Sequence, residues 1–513
     1  MLELFVLAVS LVLSALFFLY GYNSFYILIN ARRYRAPAVR GLVSGRPSVA
    51  VHLPIYNERY VVARLLEACA RMAEEYGKKL VRIVVLDDSD DDTSSEVDRA
   101  VDGLSRRGVK VEVQRRGGRR GFKAGALQEA LTKTSEKYLA IFDADFVPPR
   151  DFLSNTVPYL EADPQLAIVQ HRWGHLNRDY SLLTRAVSLG IDGHFFQEQP
   201  GRFQARCFLN FNGSGGVLRV KALQEAGGWH SDTLAEDLDM SYRVQMLGYR
   251  ILYLKELAAP AEVPPTVAAF KQQQARWARG SLRTARKLLP TLLRDGRFSL
   301  RQKFEAYLHL TYYLVHPLIL GSFLLASVAA VFNLDVISPK VQNIVDVIGS
   351  GGSSVGGVGL LGLWVLFGGA IVVCWLAVWS YYVLTLREQR MGVVQNVPSL
   401  VLLGFLGYGV SVSNTLHALK AFVSKGGVFS RTPKYGVERK GDSWRGRRYQ
   451  VPLSFTSILE AGALILGVFS VMYAVSYQNW GVVPILMVYV LSFGLVLVAG
   501  LAQSDWGQRL GSS

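Results

Sequence analysis

Long apolar segments divide this chain of 513 residues into parts suited to a membrane and a part suited to water. A helix of about 20 apolar residues can cross the ~30 Å hydrocarbon core of a bilayer. Six segments are long and apolar enough to be considered: 2–30, 307–332, 355–386, 396–420, 455–476 and 481–502. Nothing between 31 and about 304 is. The sequence therefore predicts transmembrane helices and a large water-exposed block that follows the first of them.

The charges that flank these segments predict their direction. The segment 2–30 carries one charge, Glu3, is too long for a cleaved signal peptide, and ends in the basic sequence 31–35. Because basic flanks favour the cytosolic side, we expect the N-terminus outside and the block that follows it in the cytosol. The linker 333–354, whose single basic residue is Lys340, is expected outside.

The segment 396–420 has basic sequence on both sides. A full crossing would place one of those flanks outside, so we expect this segment to lie along the interface or to re-enter from the cytosolic side. Five spans then remain, and a sixth full crossing is the alternative. Glu460 lies near the start of the span 455–476; acids inside membranes are usually functional, but this one is close enough to the interface for either role.

The block from 36 to 264 alternates short β-rich runs with helix-length stretches. The predicted strands are 48–53, 81–86, 109–113 and 138–142, and the predicted helices between them are 58–76, 93–106 and 122–135. Apolar strands alternating with helices are typical of a mostly parallel sheet covered on both faces. Ligands of such sheets bind at the carboxyl ends of the strands.

Two loops at those strand ends are acidic. Asp87-Asp88-Ser89-Asp90-Asp91-Asp92 follows the second strand, and Asp143-Ala144-Asp145 follows the fourth. The second of these loops is flanked by Phe142 and Phe146, so its carboxylates should be partly buried and should need a cation. Oxygen ligands at a strand end suit Mg²⁺ or Mn²⁺. An isolated D-x-D sequence is weak evidence, because chance produces many.

Further motifs strengthen this interpretation. In chain order the eight motifs are Pro54-Ile55-Tyr56-Asn57-Glu58, Leu86-Asp87-Asp88-Ser89, Gly121-Phe122-Lys123-Ala124-Gly125-Ala126-Leu127, Asp143-Ala144-Asp145, Phe211-Asn212-Gly213-Ser214-Gly215-Gly216, Ala235-Glu236-Asp237, Gln273-Gln274-Ala275-Arg276-Trp277 and Phe429-Ser430-Arg431-Thr432. Together they resemble the motifs of family 2 nucleotide-sugar glycosyltransferases of the GT-A fold. With its flanking spans, the chain is similar to membrane-embedded cellulose-synthase-like enzymes, above all to the mannan-synthase-like branch.

The resemblance implies a role for each motif. Asp143 and Asp145 match the metal-binding D-x-D, and Asp237, preceded by Glu236, matches the position of the catalytic base. The residues expected to bind the nucleotide sugar are Pro54, Tyr56, Glu58, Asp87, Asp88, Lys123, Asp143, Gln273, Arg276, Trp277 and Thr432. The residues expected to bind the acceptor are Asn212, Gly213, Trp277 and Trp173, although packing in the core is the alternative for Trp173. The last motif, at 429–432, resembles a gating loop.

The residue types suit sugar transfer from a nucleotide diphosphate. A divalent cation neutralises the charge that builds on the leaving diphosphate, and Lys123 and Arg276 could add positive charge. Asp237 could take the proton of the acceptor hydroxyl. An apolar stripe at Leu238, Tyr242 and Met246 predicts a helix that starts beside Asp237, where the helix dipole favours a carboxylate.

The spacing of Gln273, Arg276 and Trp277 places them on one face of a helix. The tryptophan could stack on an acceptor sugar, or it could lie at the headgroup level of an interfacial helix. The chain departs from the family pattern at Ala235, where threonine is usual, and at Ser430-Arg431. Because only a short tail follows 502, we expect no regulatory domain there. Cys69, Cys207 and Cys374 are too few and too far apart for a zinc module or a disulfide framework.

These expectations define a fold class: an α/β GT-A (Rossmann-like, mostly parallel sheet) cytosolic domain joined to an α-helical transmembrane bundle. The expected divisions are an anchor at 1–35, a catalytic domain at 36–264, interfacial helices with QxxRW at 265–305, a transmembrane hairpin at 306–390, an interfacial segment with the gating loop at 391–452, and a C-terminal hairpin at 453–513.

The expected function is a multi-pass enzyme of the cell membrane with its catalytic domain in the cytosol. It would extend a β-linked glycan with inversion, using Mg²⁺ or Mn²⁺ and GDP-mannose or UDP-glucose. Transfer to a lipid-linked oligosaccharide, or an inactive glycan-binding protein, are the alternatives. The surplus of 56 basic over 40 acidic residues suits membrane lipids, since no nucleic-acid motif is present.

Overall fold

The structure is a computed structural model that describes residues 1–39, 45–334, 355–423, 431–452 and 454–504. Within 355–374 it describes the side chains of residues 369, 372 and 373 only. The expected outer linker 333–354 therefore lies almost wholly outside the described residues, as do Phe429, Ser430 and the side chain of Cys374. Cys69 and Cys207 are buried free thiols, as the sequence indicated.

A seven-stranded sheet forms the centre of the water-exposed block. Its strands are β1 (Val49–Ile55), β2 (Val81–Asp87), β3 (Val111–Gln114), β4 (Tyr138–Ile141), β5 (Leu166–His175), β6 (Gly216–Arg219) and β7 (Arg250–Ala261). Their order is β3-β2-β1-β4-β6-β5-β7. Only β6 runs antiparallel to its neighbours β4 and β5, so the predicted mostly parallel sheet is confirmed.

Helices cover both faces of this sheet. They are α2 (Val62–Tyr76), α3 (Thr93–Arg106), α4 (Phe122–Thr132), α5 (Phe152–Ala162), α6 (Leu182–Gly193), α7 (Gln199–Gln204), α8 (Val220–Glu225) and α9 (Glu236–Met246), following the first helix α1 (Leu2–Ala31). The strands β1, β2 and β4 are buried along almost all of their length because helices pack on each side, which explains their mostly apolar sequences, whereas β3 at the edge of the sheet is only partly buried. A π-helical segment, His194–Glu198, joins α6 to α7.

The topology brings one set of loops to a single edge of the sheet. The parallel strands β1, β2 and β4 end there, each followed by a loop. Because β6 is antiparallel to β4, the loop that enters β6 arrives at the same edge. Helix α9 begins beside it. The motifs found along the sequence therefore converge in space.

Further helices follow the sheet along the described chain, and most of those after residue 311 are apolar. They are α10 (Val267–Arg294), α11 (Leu300–Thr311), α12 (Val315–Val331), α13 (Val355–Glu388), α14 (Val397–Gly409), α15 (Ser411–Val423), α16 (Thr456–Ser476) and α17 (Val483–Ala502). Among the described residues, four helical stretches are long and apolar enough to cross a membrane: Leu2–Ala31, Leu300–Val331, Thr456–Ser476 and Val483–Ala502. The expected span 355–386 is the helix α13.

The segment 396–420 forms two helices, α14 and α15, which meet at a 45° bend. A bend of this kind suits either a broken span or a re-entrant loop, so its interfacial position stays a prediction. Buried ionic groups connect the apolar helices to the rest of the chain. Lys271, on α10, donates to both carboxylate oxygens of Glu460 on α16, at 3.0 and 2.9 Å, and Glu460 is fully buried.

Candidate active site

The D-x-D residues lie at the end of β4, each beside a lysine. The carboxylate of Asp143 is 2.6 Å from Nζ of Lys123, which projects from the first turn of α4. The carboxylate of Asp145 is buried, lies 2.6 Å from Nζ of Lys434, and accepts a hydrogen bond from the backbone N–H of Glu262 at 3.2 Å. The two predicted metal ligands are therefore adjacent and heavily balanced by positive charge.

More carboxylates than these two face the same space. Glu58, from the loop after β1, is buried, and burial raises its pKa to about 7, with Asp145 and Asp143 adding to the rise and Arg431 opposing it. Glu262 is also buried and is paired with Arg64 at 2.7 Å. This concentration of oxygen ligands in an enclosed position favours cations.

The two acidic residues at the end of β2, Asp87 and Asp88, are fixed by arginines from the loop 115–120. Asp87 is buried and receives hydrogen bonds from Nε of Arg115 at 2.9 Å and from Oγ of Ser94 at 2.7 Å. Asp88 is held by Arg116, whose Nε lies 2.9 Å from Oδ1, and whose guanidinium also donates to the carbonyl oxygens of residues 120 and 122. Arg116 thus connects the β2 loop to the start of the helix that carries Lys123.

The first motif, at 54–58, contacts the loop that follows β2. Pro54 lies within β1, paired with Leu86 of β2. The side chain of Asn57 exchanges hydrogen bonds with Asp90, donating to its carboxylate at 2.6 Å and accepting from its backbone N–H at 3.0 Å. The ring of Tyr56 lies under the guanidinium of Arg119, 3.2 Å from the ring centroid.

The predicted base lies at the start of a helix. Asp237 is in the first turn of α9, as expected, and its carboxylate accepts the N–H of Leu238 at 2.8 Å. Burial and the neighbouring Glu236 raise the pKa of Asp237 to about 7, against the opposing charges of Lys123 and Arg276. Nζ of Lys123 is 3.5 Å from Glu236. A carboxyl group with this pKa can accept a proton near neutral pH.

Lys123 therefore bridges the D-x-D and the base. Burial alone would lower its pKa, but Asp143 and Glu236 hold the pKa of Lys123 above its usual range, so it carries its charge at neutral pH. It also donates to the carbonyl oxygen of Gly213, at 3.2 Å. The ammonium of Lys123 thus contacts three separate parts of the chain, at Asp143, Glu236 and Gly213.

Helix α10 carries the QxxRW residues. Thr266 caps its start, accepting the N–H of Ala269 at 3.2 Å. Gln273 is buried, and its Oε1 has no hydrogen-bond partner among the described residues, whereas Arg276 and Trp277 are half-buried. The helix can approach α9 closely because Gly280 has no side chain; a Cβ there would lie 2.8 Å from Cβ of Ala235.

The loop 211–216 carries the expected acceptor residues. Gly213, with φ of 78°, faces the base: a Cβ added there would lie 2.8 Å from Oδ2 of Asp237. Asn212 is fixed by Gln199, which donates to its side-chain oxygen at 2.9 Å. Trp173 donates to the carbonyl oxygen of Ser214 at 3.1 Å and packs edge-on against Phe146. Trp173 therefore packs at the margin of the core, where it supports this loop.

The described part of the gating motif lies across the edge of the sheet. Arg431 is 3.8 Å from Glu58 and 4.2 Å from the ring centroid of Tyr449. Thr432 is buried, and its hydroxyl has no partner among the described residues. Lys434, which reaches Asp145, completes a basic strip over the acidic loops.

Other residues of this site have no local signal in the sequence. Lys434, Glu262 and Arg119 are ordinary charged residues until the fold brings them beside the motifs. Lys434 and Asp145 are separated by 289 positions. For Lys434 alone, the sequence offers an indirect indication, because Pro433 and Lys434 directly follow the gating motif.

The residues present suit a divalent cation at the D-x-D, because the carboxylates of Asp143, Asp145 and Glu58 are close enough to interact electrostatically, and carboxylate oxygens are the ligands that Mg²⁺ and Mn²⁺ prefer. Elsewhere among the described residues, His230, Asp232 and Asp239 have possible ligand atoms within 4.8 Å of one another. The ammonium of Lys287 lies 2.9 Å from each of them. That cluster therefore already contains its cation.

Comparisons with known proteins agree with this geometry. The sequence profile of "Glycosyl transferase family 2" matches residues 50–217, and that of "Glycosyl transferase family group 2" matches residues 138–387. A mannosyltransferase from Pyrobaculum calidifontis, solved with GDP-Man and Mn²⁺, aligns with 82% of this chain and 99% of its own at a TM-score of 0.53 and 21% identity. The sheet and the loops at its edge define a GT-A fold.

Curated relatives indicate which kind of glycosyltransferase this chain resembles. The "Probable glucomannan 4-beta-mannosyltransferase 11" of Arabidopsis thaliana is 34% identical over 300 residues, which are 58% of this chain and 67% of that protein. The "Probable glucomannan 4-beta-mannosyltransferase 10" of the same plant is 35% identical over 300 residues, 58% of this chain and 54% of that protein. The chain belongs to glycosyltransferase family 2, in its mannan-synthase-like branch. It spans about half the length of the first curated relatives it matches.

Proposed function

We propose that this protein is a membrane-embedded inverting glycosyltransferase that moves a hexose from a nucleotide diphosphate to a β-linked glycan. The observation that carries the proposal is the position of Lys123. Its ammonium contacts the D-x-D carboxylate of Asp143 and the carbonyl oxygen of Gly213, the residue that faces Asp237. Lys123 thus connects the proposed leaving-group site at Asp143 with the loop that faces the proposed base, Asp237.

The residues support one direct displacement. Asp237 takes the proton of the acceptor hydroxyl as that oxygen attacks the anomeric carbon, and its raised pKa suits this role at neutral pH. Lys123 and Arg276 stabilise the negative charge of the departing diphosphate. Asp143 and Asp145 would hold Mg²⁺ or Mn²⁺, which supplies further charge neutralisation when bound. A single displacement inverts the anomeric carbon, so an α-linked donor gives a β-linked product.

The donor is inferred from residues and relatives together. Tyr56 and Asp88 lie where a base and a ribose would contact the loops after β1 and β2, and Pro54, Glu58, Asp87 and Thr432 shape the same side. The similarity to glucomannan 4-beta-mannosyltransferases, and a structural neighbour solved with GDP-Man, favour GDP-mannose, with UDP-glucose next. Gln273 and Trp277 would contact the sugar from helix α10.

The acceptor is proposed to be a growing β-linked glycan. Its end would lie at Asp237, and the rest of the glycan would extend past Asn212, Gly213 and Trp277. The alternative acceptor is a lipid-linked oligosaccharide in N-glycan or glycolipid assembly. We propose that the enzyme is a multi-pass membrane protein, divided as the sequence analysis expects, with its catalytic domain in the cytosol and its basic margin against membrane lipids. The apolar helices Leu2–Ala31 and Thr456–Ser476 support this placement.

A donor screen tests the proposal. Purified protein in detergent is incubated with Mn²⁺ or Mg²⁺ and GDP-mannose, UDP-glucose or UDP-GlcNAc, and the release of nucleoside diphosphate is measured. We expect release from GDP-mannose, and a decrease of ~10²–10⁴-fold in Asp237→Asn. Asp179→Asn, an exposed carboxylate outside the site, is the matched control. Equal rates in wild type and Asp237→Asn would contradict the assignment of the base.

A further inference from the structure

A charged network lies beside the proposed catalytic residues and takes no part in the displacement described above. It is centred on Glu198, the last residue of the π-helical segment. Nδ1 of His194 lies 2.8 Å from one carboxylate oxygen of Glu198, and Nε of Arg202 donates to the other at 3.0 Å. Nε2 of His309, from α11, lies 3.9 Å from the same carboxylate.

The network is connected to the loop that faces the base. The second ring nitrogen of His194 lies 3.0 Å from Nδ2 of Asn212. The next residue, Gly213, faces Oδ2 of Asp237. Glu198 is therefore connected to the proposed base, Asp237, through His194 and the loop residues Asn212 and Gly213.

Two members of this network keep access to open space. Glu198 and His194 expose 27% and 24% of their side-chain surfaces, although their segment packs between α1 and α13. Arg202 and Glu305, which belong to the same network, expose only 3% and 4%. The carboxylate and the imidazole are thus the accessible members of this network, on a segment that contacts α1 and α13, and Arg202 and Glu305 are almost completely buried.

Several tyrosines lie near Glu198. The carboxylate of Glu198 is close enough to interact electrostatically with the hydroxyls of Tyr312, Tyr313, Tyr381 and Tyr382. Tyr312 is 55% exposed, and its ring centroid is 6.4 Å from that of Tyr20 on α1. A Cβ at Gly193 would lie 2.9 Å from the ring of Tyr382, so this glycine lets the tyrosine approach the segment that carries His194.

We propose that Glu198 and His194 form an acceptor subsite that binds a pyranose ring of the β-linked glycan, with Tyr312 as its stacking surface. The inference rests on the proposed function and extends it to residues that no motif contains. A carboxylate has about four acceptor positions, and protein donors use two of those of Glu198. The remaining positions can accept hydrogen bonds from sugar hydroxyls, and a tyrosine ring offers a flat apolar face.

The charge state of Glu198 supports this role. Burial works against ionisation, but His194 and Arg202 outweigh it and hold the pKa of the Glu198 carboxyl well below its usual range. The carboxylate is therefore an acceptor of hydrogen bonds throughout the neutral range. Hydrogen bonds to a charged group are about twice as strong as neutral ones.

The alternative role for Glu198 is structural, as an anion that connects helices. Glu305 offers a matched control for that role, because it lies in the same network beside Arg202 and is almost completely buried. A purely structural network would respond similarly to the loss of either carboxylate. A binding site would respond to the loss of Glu198 alone.

Binding measured without turnover separates these roles. The affinity of the purified full chain for β-1,4-mannotetraose is measured by isothermal titration calorimetry in detergent, and its affinity for GDP is measured in parallel. We expect Glu198→Gln and Tyr312→Ala each to weaken tetraose binding by about tenfold or more, with GDP affinity within about twofold of wild type. Glu305→Gln should leave the affinity for the tetraose unchanged. Because Tyr312 is exposed, its variant reports on the subsite even if Glu198→Gln does not fold.

Three results would overturn the inference: equal tetraose affinity in wild type and both subsite variants, an equal loss in Glu305→Gln, or no tetraose binding by the wild type. Failure of the proposed function has a different signature. In that case the wild type would bind the tetraose in a manner that depends on Glu198, yet release no nucleoside diphosphate from any donor.

Discussion

The ion pair between Lys271 and Glu460 is expected to be coupled strongly to the stability of the helical bundle. Both carboxylate oxygens of Glu460 are within 3.0 Å of the ammonium; Glu460 is fully buried and Lys271 is 9% exposed. Removal of one partner leaves the other as an uncompensated buried charge, which typically costs about 3–5 kcal/mol. Lys271→Met and Glu460→Leu should therefore each lower the free energy of unfolding by about that amount.

The double variant Lys271→Met/Glu460→Leu is the informative one. Replacement of a buried ion pair by apolar side chains of similar volume is often neutral or stabilising, because no charge remains to be desolvated. We expect its free energy of unfolding to lie within about 1 kcal/mol of wild type, so the two single changes should be strongly non-additive. Titration with dodecyl sulfate in mixed micelles, followed by circular dichroism, measures all four proteins.

The exposed pair of Arg297 and Asp295, with Nη2 2.6 Å from Oδ2, is the matched control. Asp295→Asn should leave the free energy of unfolding close to that of wild type, since solvent screens such pairs. The reasoning is refuted if the double variant is as unstable as the sum of its single changes. It is also refuted if Lys271→Met costs no more than Asp295→Asn.

Three further perturbations act on the edge of the sheet. The value of kcat/KM should fall about tenfold per pH unit as the pH drops below about 7, because Asp237, whose pKa is raised to about 7, must be deprotonated to act as a base; a pH profile for the donor measures this. Gly125→Ala should weaken GDP binding, measured by calorimetry, because the added methyl group clashes with the carbonyl oxygen of Arg120. Asp145→Asn should raise the Mn²⁺ concentration for half-maximal activity by about tenfold or more, measured by titration of the metal-free enzyme.

Each of these has a control in the same chain. A pH profile that is flat from 5 to 8 would exclude Asp237 as the titrating base. Gly103→Ala lies in α3 with nothing within 4 Å of the added carbon, so it should leave GDP affinity unchanged; equal losses in both glycine variants would contradict the steric argument. Asp151→Asn, an exposed residue after β4, should leave the Mn²⁺ requirement as in wild type.

Much of the fold could be predicted because its signals are local. The strands β1, β2 and β4 are continuous apolar runs, as strands buried on both faces must be. Their acidic loops follow directly, so the grouping of Asp88, Asp143 and Asp145 at one edge required only the rule that parallel strands end on the same side. The helix that starts beside Asp237 followed from its apolar spacing.

What was missed depends on contacts between distant parts of the chain. Strand β6 has four residues, too few for a pattern to show that it would enter the sheet antiparallel. The pairing of Lys434 with Asp145 and the approach of His309 to Glu198 arise only after the helical bundle has packed on the sheet. Trp173 shows a related limit, because a half-buried aromatic residue looks the same in sequence whether it supports a loop or stacks on a sugar.

The anomeric configuration of the first product tests the central claim most directly. Purified enzyme is supplied with GDP-α-mannose, Mn²⁺ and β-1,4-mannotetraose, and the newly formed linkage is assigned by ¹H–¹³C NMR from its one-bond coupling at the anomeric carbon. Direct displacement assisted by Asp237 predicts a pentaose with a new β linkage. A new α linkage would contradict the mechanism proposed for this site.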